Sequence, residues 1–572
     1  MNDSINVTTS RAWWRDAVVY QVYVRSFADS DGDGRGDLQG IIEHLDHLAA
    51  LRVDAIWLCP CFPSPQMDHG YDVADYFDIE PTYGDLATFD RLVAAAKEHG
   101  IKVMLDVVPN HCSSEHAWFK AALAAPKGGP ERARFWFRDG KGEHGELPPN
   151  NWKAVFGGPA WSRITEPDGT PGQWYLHIFT PWQPDFNWEN EEVKDHFDRM
   201  LRFWFDRGVE GFRVDAVGVV GKADGLPDQV VLDGDAKATE QAGANEYVQF
   251  QPKAHDYWRR WRRVIDAYEA EHPGRQLVTV SEAYTPGKPE LLLKFVEPDQ
   301  FHQSFCFDLM LAPWIAGPIR ESVAAVYEVL TDAGAALTWT LNNHDTQRAV
   351  TRYGRANATS MESWTKNNLV YVDATVDETL GLRRSDAMIA FTAGLPGSLF
   401  LYQGEELGLP EVLDIPADRR EDPLFARTNG AEIGRDGCRI PLPWTDQEST
   451  AFGFSSVPPT AEPWLPLPEG WGAYAASRQA HDPASTLAHY QHLLGHRRVL
   501  DREAPLHWEL ADSDDVVAYR RGAVLVVLNV SQHHVALPTA LVEGRELIIS
   551  SERTHTNPAV VPADSCVWLL QR

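Results

Sequence analysis

The stretch VKDHFDRMLRFWFDRGVEGFRV, residues 193–214, contains the repeating unit from which the fold of this chain can be predicted. Its apolar residues recur at helical spacing as far as Phe205, and Gly208 marks the end of that helix. A short candidate for a buried strand, Gly211–Val214, follows at once. A helix, a glycine stop and a buried strand in this order are typical of a parallel sheet with helical crossovers.

The same unit occurs twice earlier in the chain. Apolar residues at helical spacing precede the short apolar runs 53–58 and 101–105. The remaining strand candidates are 17–24, 277–280, 337–341 and 398–402, with a poorer one near 301–307. Eight strands with helical crossovers predict an α/β fold, a (β/α)₈ or TIM barrel.

Two regions interrupt this pattern, and a third follows it. Residues 112–185 are rich in Gly, Pro and Trp and predict a small domain inserted after the third strand. Residues 404–480 predict a long irregular loop, and residues 490–572 alternate as an antiparallel β-sandwich domain would. The expected division is therefore a barrel at 1–111 and 186–485, the inserted domain and a C-terminal β domain.

Composition excludes several classes of partner. With 52 basic and 82 acidic residues the formal net charge is −30, which disfavours a nucleic acid or an anionic membrane. The 21 Trp, 17 Tyr and 24 Phe suit a large core and also sites that stack on sugar rings. Six Cys are too few for a disulfide scaffold, and MNDSINVTTSRAWWRD at the N-terminus lacks a signal-peptide pattern. We therefore expect a cytoplasmic protein, a monomer or a homodimer, with a small neutral ligand.

Polar residues follow several of the predicted strands, namely Asp106, Asp215, Glu282 and His344. In a barrel of this kind the carboxyl ends of the strands carry the chemistry. Retaining glycoside hydrolysis needs a carboxylate nucleophile and a carboxylic acid roughly 5–5.5 Å apart. Asp215 and Glu282 end two successive predicted strands and would both point into the mouth of the barrel.

Six segments resemble the α-amylase family, glycoside hydrolase family 13, and most closely its α-glucosidase and oligo-1,6-glucosidase branch. They occur in the family's order: DVVPNH (106–111), QPDFNW (183–188), GFRVDA (211–216), SEA (281–283), NNHD (342–345) and YQGEELG (402–408). The resemblance implies a retaining glycoside hydrolase that forms a glucosyl-enzyme intermediate. It makes Asp215 the nucleophile, Glu282 the general acid and base, and Asp345 the third carboxylate, which binds sugar hydroxyls.

The resemblance also implies further substrate-binding residues. His111 and His344 would bind glucose hydroxyls, while Asp106 and Asn110 would brace the site. Arg213 lies two residues before Asp215, so strand alternation places both on one face, where the cation would keep the nucleophile ionised.

Substrate preference depends on the ends of the pocket. In DHGY (68–71), Asp68 and Tyr71 resemble the family's sugar-binding Asp and stacking Tyr. Arg439, in GRDGCRIPLPW (434–444), matches the Arg that pairs with that Asp in exo-acting members, so the pair would grip the non-reducing end. Phe156 and Phe179 are candidate walls of the same pocket.

Linkage preference is predicted from the residue after the nucleophile. In this branch that residue is often Val in enzymes that cut α-1,6 bonds, and smaller or Thr in those that cut α-1,4 bonds. Here it is Ala216, which favours α-1,4 bonds and maltose-like or sucrose-like substrates.

Aspartates alternate in DSDGDG, residues 29–34, and Asp37 follows. Carboxylates at every second position can converge on one hard cation, although the EF-hand pattern fails because Gly40 occupies its twelfth position. The loop instead resembles the Ca²⁺ or Mg²⁺ site after the first barrel strand of oligo-1,6-glucosidases. The resemblance implies a structural ion held by Asp29, Asp31, Asp33, Asp37 and the backbone carbonyl of Arg35, with no organic cofactor.

Two alternative functions make different predictions. A trehalose synthase or another sucrose- or maltose-isomerising transglucosidase would use the same carboxylates, with sugar instead of water intercepting the intermediate. A non-catalytic relative, such as the heavy subunit of an amino-acid transporter, would lack the carboxylates and carry a membrane span. The chain keeps the carboxylates, and its most apolar stretch, 387–402, is too short to span a membrane.

Overall fold

The computed structural model describes residues 11–229, 245–361 and 375–572 of the chain. The expectation that the N-terminus is not a signal peptide falls largely on residues 1–10, outside the described residues. Within the described ranges, no helix is both long enough and apolar enough to cross a membrane.

The described strands fall into a barrel, an inserted sheet and C-terminal sheets. They are β1 (Val18–Val22), β2 (Ala55–Leu58), β3 (Lys102–Val107), β4 (Phe137–Arg138), β5 (Trp161–Thr165), β6 (Pro171–Leu176), β7 (Gly211–Val214), β8 (Val278–Ser281), β9 (Gln303–Ser304), β10 (Thr338–Thr340), β11 (Ser398–Tyr402), β12 (Leu506–Glu509), β13 (Val516–Arg521), β14 (Val524–Asn529), β15 (Val535–Ala536), β16 (Arg545–Ser550), β17 (Val560–Val561) and β18 (Ser565–Gln571).

The described α-helices mostly alternate with the barrel strands. They are α1 (Leu38–Glu43), α2 (Leu45–Ala50), α3 (Leu86–Glu98), α4 (Ala117–Ala124), α5 (Pro130–Ala133), α6 (Glu191–Asp206), α7 (Ala254–Glu271), α8 (Pro289–Leu293), α9 (Asp308–Leu311), α10 (Ala316–Asp332), α11 (Ala349–Gly354), α12 (Glu378–Gly394), α13 (Pro423–Arg427), α14 (Ala476–Gln479), α15 (Thr486–Arg497) and α16 (Thr539–Val542).

The repeating unit of residues 193–214 folds as its pattern predicts. The side chain of Asn190 caps α6 by accepting the N–H of Glu192, and the apolar face of the helix is buried. Gly208, with φ of 94°, then turns the chain in the left-handed region that glycine adopts freely. The chain reverses there and enters β7.

Eight parallel strands of the described chain form one sheet, in the order β10-β11-β1-β2-β3-β7-β8-β9. In its register Asp106 of β3 lies opposite Arg213 of β7. A parallel bridge between Cys306, just after β9, and Trp339 of β10 brings the two edges of the sheet together. The predicted barrel is confirmed, and its poorest predicted strand, β9, is only two residues long.

The C-terminal residues form antiparallel sheets, as predicted. Strands β12-β13-β14-β18-β16 make a five-stranded sheet, and the β15–β17 pair is the smaller second sheet. The large sheet packs against α12, where the Tyr519 hydroxyl donates to the carbonyl of Phe391 at 2.6 Å. A Cβ on Gly394 would lie 2.3 Å from that hydroxyl, so this contact requires glycine.

The region between β3 and α6 contains α4, α5 and a three-stranded antiparallel sheet in the order β4-β6-β5. The loop after β11 contains only the short helices α13 and α14 among its described α-helices. Both regions lie on the side of the barrel where the strands end, which is where they can shape a pocket. The exact domain boundaries stay a prediction.

Candidate active site

Three carboxylates surround the guanidinium of Arg213 at the carboxyl ends of neighbouring strands. Nη1 of Arg213 donates to Asp215 Oδ1 at 2.7 Å and to Asp106 Oδ1 at 3.0 Å. Its Nη2 lies 2.7 Å from Glu282 Oε1. The structure therefore brings the two predicted catalytic carboxylates, Asp215 and Glu282, side by side around one buried cation.

Ala216 adopts an unusual backbone conformation beside these groups. Its φ of 47° and ψ of 39° are in the left-handed region, which costs a residue with a Cβ about 1–2 kcal/mol. In this conformation its N–H donates to Glu282 Oε2 at 3.1 Å. Glu282 is thus held by Arg213 on one oxygen and by the backbone after Asp215 on the other.

Two of the carboxylates around Arg213, Asp215 and Asp106, have raised pKa values. Burial raises the pKa of Asp215 well above its usual range, with Arg213 opposing and Glu282 adding to the rise. Burial also raises the pKa of Asp106 to about 7, against the attraction of Arg213. Burial therefore outweighs the attraction of Arg213 at both aspartates, and Asp106 holds a proton near neutral pH.

The two predicted ring residues His344 and Tyr71 stack face to face, with ring centroids 5.2 Å apart. The amide of Gln21 lies 2.7 Å from Nδ1 of His344 and donates to it, which assigns the ring proton to Nε2. That Nε2 lies 2.6 Å from the Tyr71 hydroxyl, which donates to Asp106 Oδ2 at 3.0 Å. Burial keeps the pKa of His344 well below its usual range, so the ring is neutral.

Arg435 links three carboxylates from separate loops. It donates to Asp68 Oδ1 at 3.1 Å, to Asp345 Oδ1 at 2.9 Å and to Asp422 Oδ2 at 2.6 Å. Asp68 follows β2, Asp345 follows β10, and Asp422 caps α13 through the N–H of Leu424. This charged network ties the loops together across one side of the site.

The sequence pairs Asp68 with Arg439, and the structure corrects this to Arg435. Arg439 instead donates to Asp345 Oδ1 at 2.9 Å and to the carbonyl of His344 at 2.8 Å. The two arginines flank a single short turn, Asp436–Cys438, so both reach Asp345 but only Arg435 also reaches Asp68. Arg439 therefore remains in the site, next to the third carboxylate.

Asp345 differs electrostatically from the carboxylates around Arg213. Its burial would raise its pKa, but Arg435 and Arg439, which both donate to its Oδ1, outweigh that effect and hold the pKa well below its usual range. Asp345 is thus a permanent carboxylate, as binding of sugar hydroxyls requires.

His111 joins the same pocket from the end of β3. Its Nε2 lies 3.1 Å from the carbonyl of Tyr71 and 3.2 Å from the amide nitrogen of Gln183. Gln183 in turn donates to Asp68 Oδ2 at 2.9 Å. On the other side of the ring, the amide of Asn110 lies 3.1 Å from Nδ1 of His111, so Asn110 does brace the histidine.

A buried lysine supports that brace. Lys222 is fully buried, and its ammonium donates to Asn110 Oδ1 at 2.9 Å and lies 2.9 Å from Asp185 Oδ2. Burial lowers the pKa of Lys222, while Asp185 opposes the shift. The ion pair joins the loop after β7 to the QPDFNW segment behind His111.

The two predicted wall residues, Phe156 and Phe179, lie close to other predicted site residues. The ring of Phe179 is 4.8 Å from that of His111 and 6.1 Å from that of Phe156. The Arg435 guanidinium lies 5.2 Å from the centroid of Phe156. Phe156 and Phe179 thus connect His111 to the Arg435 network along one side of the pocket.

The acidic loop after β1 lies apart from these groups. Carboxylate oxygens of Asp29, Asp31 and Asp37 lie within 4.8 Å of one another, a spacing that one hard cation could bridge. Asp33 is not in this group; its carboxylate accepts the N–H of Arg35 at 2.8 Å. The structure therefore supports three of the four predicted carboxylates as a set.

Sequence reasoning missed several residues of the site: Gln21, Gln183, Lys222, Asp422 and Arg435. Gln183 begins the QPDFNW segment, so its motif was recognised without its role. Arg435 and Arg439 lie four residues apart in one segment, and spacing alone does not choose between them. Nothing in the sequence marks Gln21, Lys222 or Asp422 as neighbours of these groups.

Comparison with known proteins identifies the architecture. The model of the α-amylase catalytic domain matches residues 21–502. The oligo-1,6-glucosidase of Parageobacillus thermoglucosidasius is 31% identical over 582 residues, covering 95% of each chain. Maltase 1 of Drosophila virilis is 36% identical over 480 residues, covering 82% of this chain and 68% of its own.

Solved structures show the same similarity. The crystal structure of the α-glucosyl transfer enzyme XgtA superposes with a TM-score of 0.80 and is 33% identical. The match covers 98% of this chain and 100% of that one. The similarity therefore extends over the barrel, the inserted region and the C-terminal sheets together.

Proposed function

The chain belongs to the α-amylase family of glycoside hydrolases and is an exo-acting α-glucosidase; we propose that it prefers α-1,4 bonds and works by double displacement. One observation carries the exo mode of action: Arg435 ties Asp68 to Asp345 across one side of the site. A pocket closed there accepts the non-reducing end of a short oligosaccharide and blocks longer chains.

In the first displacement Asp215 attacks the anomeric carbon, and the bond from that carbon to the glycosidic oxygen breaks. Glu282 gives its proton to the departing oxygen. The Asp215 carboxylate becomes a glucosyl ester, and Arg213 then balances the charge of the remaining carboxylates. The Ala216 N–H keeps Glu282 oriented in both of its protonation states, because the second carboxylate oxygen remains free of Arg213.

In the second displacement Glu282 acts as the base. It takes a proton from water as the water oxygen attacks the anomeric carbon, and Asp215 leaves as a carboxylate. Two inversions give net retention, so α-glucose is released. Asp345 binds sugar hydroxyls more strongly as the ring flattens toward the transition state, which is where binding accelerates the reaction.

The preference for α-1,4 bonds rests on Ala216. Its single methyl group is partly buried and packs against the same apolar cluster as Phe179. Maltose-like or sucrose-like disaccharides are the substrates we expect, and the oligo-1,6-glucosidase relative makes isomaltose the critical competitor in the test.

Glucosyl transfer is the second candidate. The carboxylate pair is the same in both reactions, and one similar solved structure is that of an α-glucosyl transfer enzyme. Transfer, including trehalose synthase-type isomerisation, requires only that a sugar hydroxyl takes the place of water at the intermediate. We propose hydrolysis as the main reaction, with transfer at high sugar concentration.

A structural cation is part of the proposal. Asp29, Asp31 and Asp37 offer hard oxygen donors of the kind that Ca²⁺ or Mg²⁺ prefers, and this chemistry fits such an ion. The ion would hold the loop after β1 and take no part in the reaction. We also infer a cytoplasmic location, which agrees with six cysteines that are all buried and free.

Product analysis tests the proposal. Maltose, isomaltose, sucrose, trehalose and maltotetraose are each incubated with the full chain, at low and high sugar concentration. We expect glucose to be released one unit at a time from the non-reducing end, as the α-anomer by NMR, fastest from maltose. Initial release of β-glucose, or of maltose from maltotetraose, would contradict retention or the exo mode.

The variant Asp215→Ala supplies the control and should abolish turnover of every substrate. Trehalose or new trisaccharides from maltose at low concentration would favour the transferase alternative. Faster cleavage of isomaltose than of maltose would contradict the linkage preference alone.

A further inference from the structure

The described residues enclose a cavity of about 210 Å³ at the end of the barrel opposite the catalytic residues. Val18 begins β1 and Asp54 immediately precedes β2, so the cavity lies at the amino ends of these strands. Arg497 ends α15 and Arg521 ends β13 of the C-terminal sheet. The cavity therefore lies at the junction between the barrel and the C-terminal domain.

The lining of this cavity is strongly basic. Five arginines contribute side chains: Arg52, Arg497, Arg498, Arg502 and Arg521. Only two acidic residues, Asp16 and Asp54, line it as well, so its formal charge is five minus two, or +3. In a chain of net charge −30, this concentration of arginine requires an explanation.

The two arginines at the bottom of the cavity are buried without a close carboxylate. Arg521 is 2% exposed, and its nearest carboxylate oxygen, Oδ1 of Asp16, is 4.0 Å away. Its Nη1 donates to the carbonyl of Leu395 at 3.1 Å, and within the described chain its Nε has no hydrogen-bond partner. Arg497 also donates to backbone carbonyls, including that of Leu395 at 3.3 Å.

The acidic residues of the cavity are already engaged by other groups. Asp16 Oδ2 lies 2.7 Å from Nε of Arg11. Asp54 Oδ2 accepts the N–H of Val18 at 2.8 Å. Burial and the neighbouring Arg521 lower the pKa of Arg497 to about 10, while Asp16 and Asp54 oppose that shift. The lining as a whole therefore keeps an excess of positive charge, with five arginines against two carboxylates.

We propose that this cavity binds a phosphate group, as inorganic phosphate or as a phosphate monoester. A tetrahedral dianion matches the charge, and guanidinium groups bind its oxygens through paired, charge-assisted hydrogen bonds. Arg497 and Arg521 would hold it at the bottom, while the exposed Arg52, Arg498 and Arg502 would close over it at the mouth. The bound group would link the barrel to the C-terminal sheet at a distance from the catalytic end.

Calorimetric titration of the full chain tests this site. Inorganic phosphate and glucose 6-phosphate are titrated separately at neutral pH, with ionic strength held constant by chloride. The double variant Arg498→Ser/Arg502→Ser removes mouth arginines that are exposed, so the fold should remain intact. Arg91→Ser, another exposed arginine on α3, is the matched control.

We expect binding to the wild type and to Arg91→Ser, and affinity about tenfold or more weaker in the double variant, because charge-assisted hydrogen bonds are lost. If both ligands bind equally, the cavity recognises the phosphate group alone. If glucose 6-phosphate binds more tightly, part of the cavity also contacts the sugar. Either result supports the proposal. A rise in melting temperature with phosphate, absent in the double variant, would support it as well.

Absence of binding to the wild type, or unchanged affinity in the double variant, would overturn the proposal. Phosphate that raises the KM for maltose equally in both proteins would place the anion at the catalytic end, and would also overturn it. Neither outcome affects the proposed glucosidase activity, which is measured in the absence of phosphate.

Discussion

Replacement of Ala216 by Val separates two roles of the residue after the nucleophile. The side chain at this position packs against the same apolar cluster as Phe179, while the backbone N–H donates to Glu282 Oε2 at 3.1 Å. Val adds two methyl groups to the side-chain environment. It also strains the backbone whose N–H holds Glu282. Because φ is 47° here, a β-branched side chain is placed in a region that it strongly disfavours.

The magnitude of each effect follows from this geometry. Ala216 already bears the cost of about 1–2 kcal/mol that the left-handed conformation imposes on a residue with a Cβ. Ala216→Val should therefore lower the free energy of unfolding only by the extra crowding of the β-branched side chain, about 0.5–1.5 kcal/mol. If the backbone relaxes, the N–H leaves Glu282, and loss of a hydrogen bond to a charged group costs about 1.5–3 kcal/mol, or roughly 10–150-fold in kcat. This loss affects every substrate equally, since each reaction uses Glu282.

The preference between α-1,6 and α-1,4 substrates measures the effect of the Val side chain separately from the effect of the strained backbone. A methyl group in a binding pocket discriminates between substrates by about 1–3 kcal/mol. We therefore expect the ratio of kcat/KM for isomaltose to that for maltose to rise about tenfold in Ala216→Val, whatever happens to kcat. The assay measures kcat and KM for both disaccharides, together with the melting temperature.

Ala216→Gly is the matched control, because glycine adopts the left-handed region freely and adds no volume. Its isomaltose-to-maltose ratio should not rise, and Glu282 should keep its backbone hydrogen bond. An unchanged or lower ratio in the Val variant, or a rise of the same size in the Gly variant, would refute the reasoning.

Three other perturbations follow from the structure. Asp422→Asn removes the buried charge beside Arg435, so Arg435 should hold Asp68 less firmly. The value of kcat/KM for maltose should therefore fall about tenfold or more, mainly because KM rises. An unchanged KM would disprove the positioning role of Asp422. Burial raises the pKa of Glu405 to about 7, so the folded protein binds a proton that the unfolded chain releases above its ordinary pKa. Stability from this group is therefore complete below the ordinary pKa of 4.5 and is lost as pH rises from there to the folded pKa of about 7. The slope of melting temperature between pH 5 and pH 7 should be flatter in Glu405→Gln, and equal slopes would argue against the shift. Chelation should remove a bound divalent ion, measured by elemental analysis, and lower the melting temperature. Asp29→Asn should show the lower melting temperature before chelation. A chain whose metal content and melting temperature both stay unchanged on chelation has no such site.

The barrel could be predicted because its evidence is local and repeated. Each helix, glycine stop and buried run occurs within about 25 residues, so no distant contact is needed to recognise the unit. The weakest strand, β9, is two residues long, and its edge of the barrel is completed by the single bridge from Cys306 to Trp339. A strand held by so few residues leaves little pattern in the sequence.

The charged networks of the site could not be predicted in the same way. Arg435 and Arg439 flank one turn, and their partners come from loops after β2, β10 and β11. Which arginine reaches Asp68 depends on how these loops fold together, not on the local sequence. The same applies to Lys222, whose buried partner Asp185 lies in the inserted region rather than on a neighbouring strand.

The carboxylates of the pocket differ because their surroundings differ in charge. Asp215 and Asp106 share the single cation Arg213, which does not offset their burial, and their pKa values are raised. Asp345 has two arginines on its Oδ1 and a lowered pKa, so it stays ionised.

This arrangement allows Asp345 to bind substrate without losing its charge. Both arginines contact Oδ1, whereas Oδ2 faces the ring of His344, at 3.3 Å. A sugar hydroxyl can therefore donate to Oδ2 while Arg435 and Arg439 remain in place. As positive charge develops on the sugar ring in the transition state, this carboxylate and the Asp215 carboxylate both stabilise it. Proton transfer is thereby confined to the Arg213 cluster, and the Arg435 cluster supplies fixed charge and closure of the pocket.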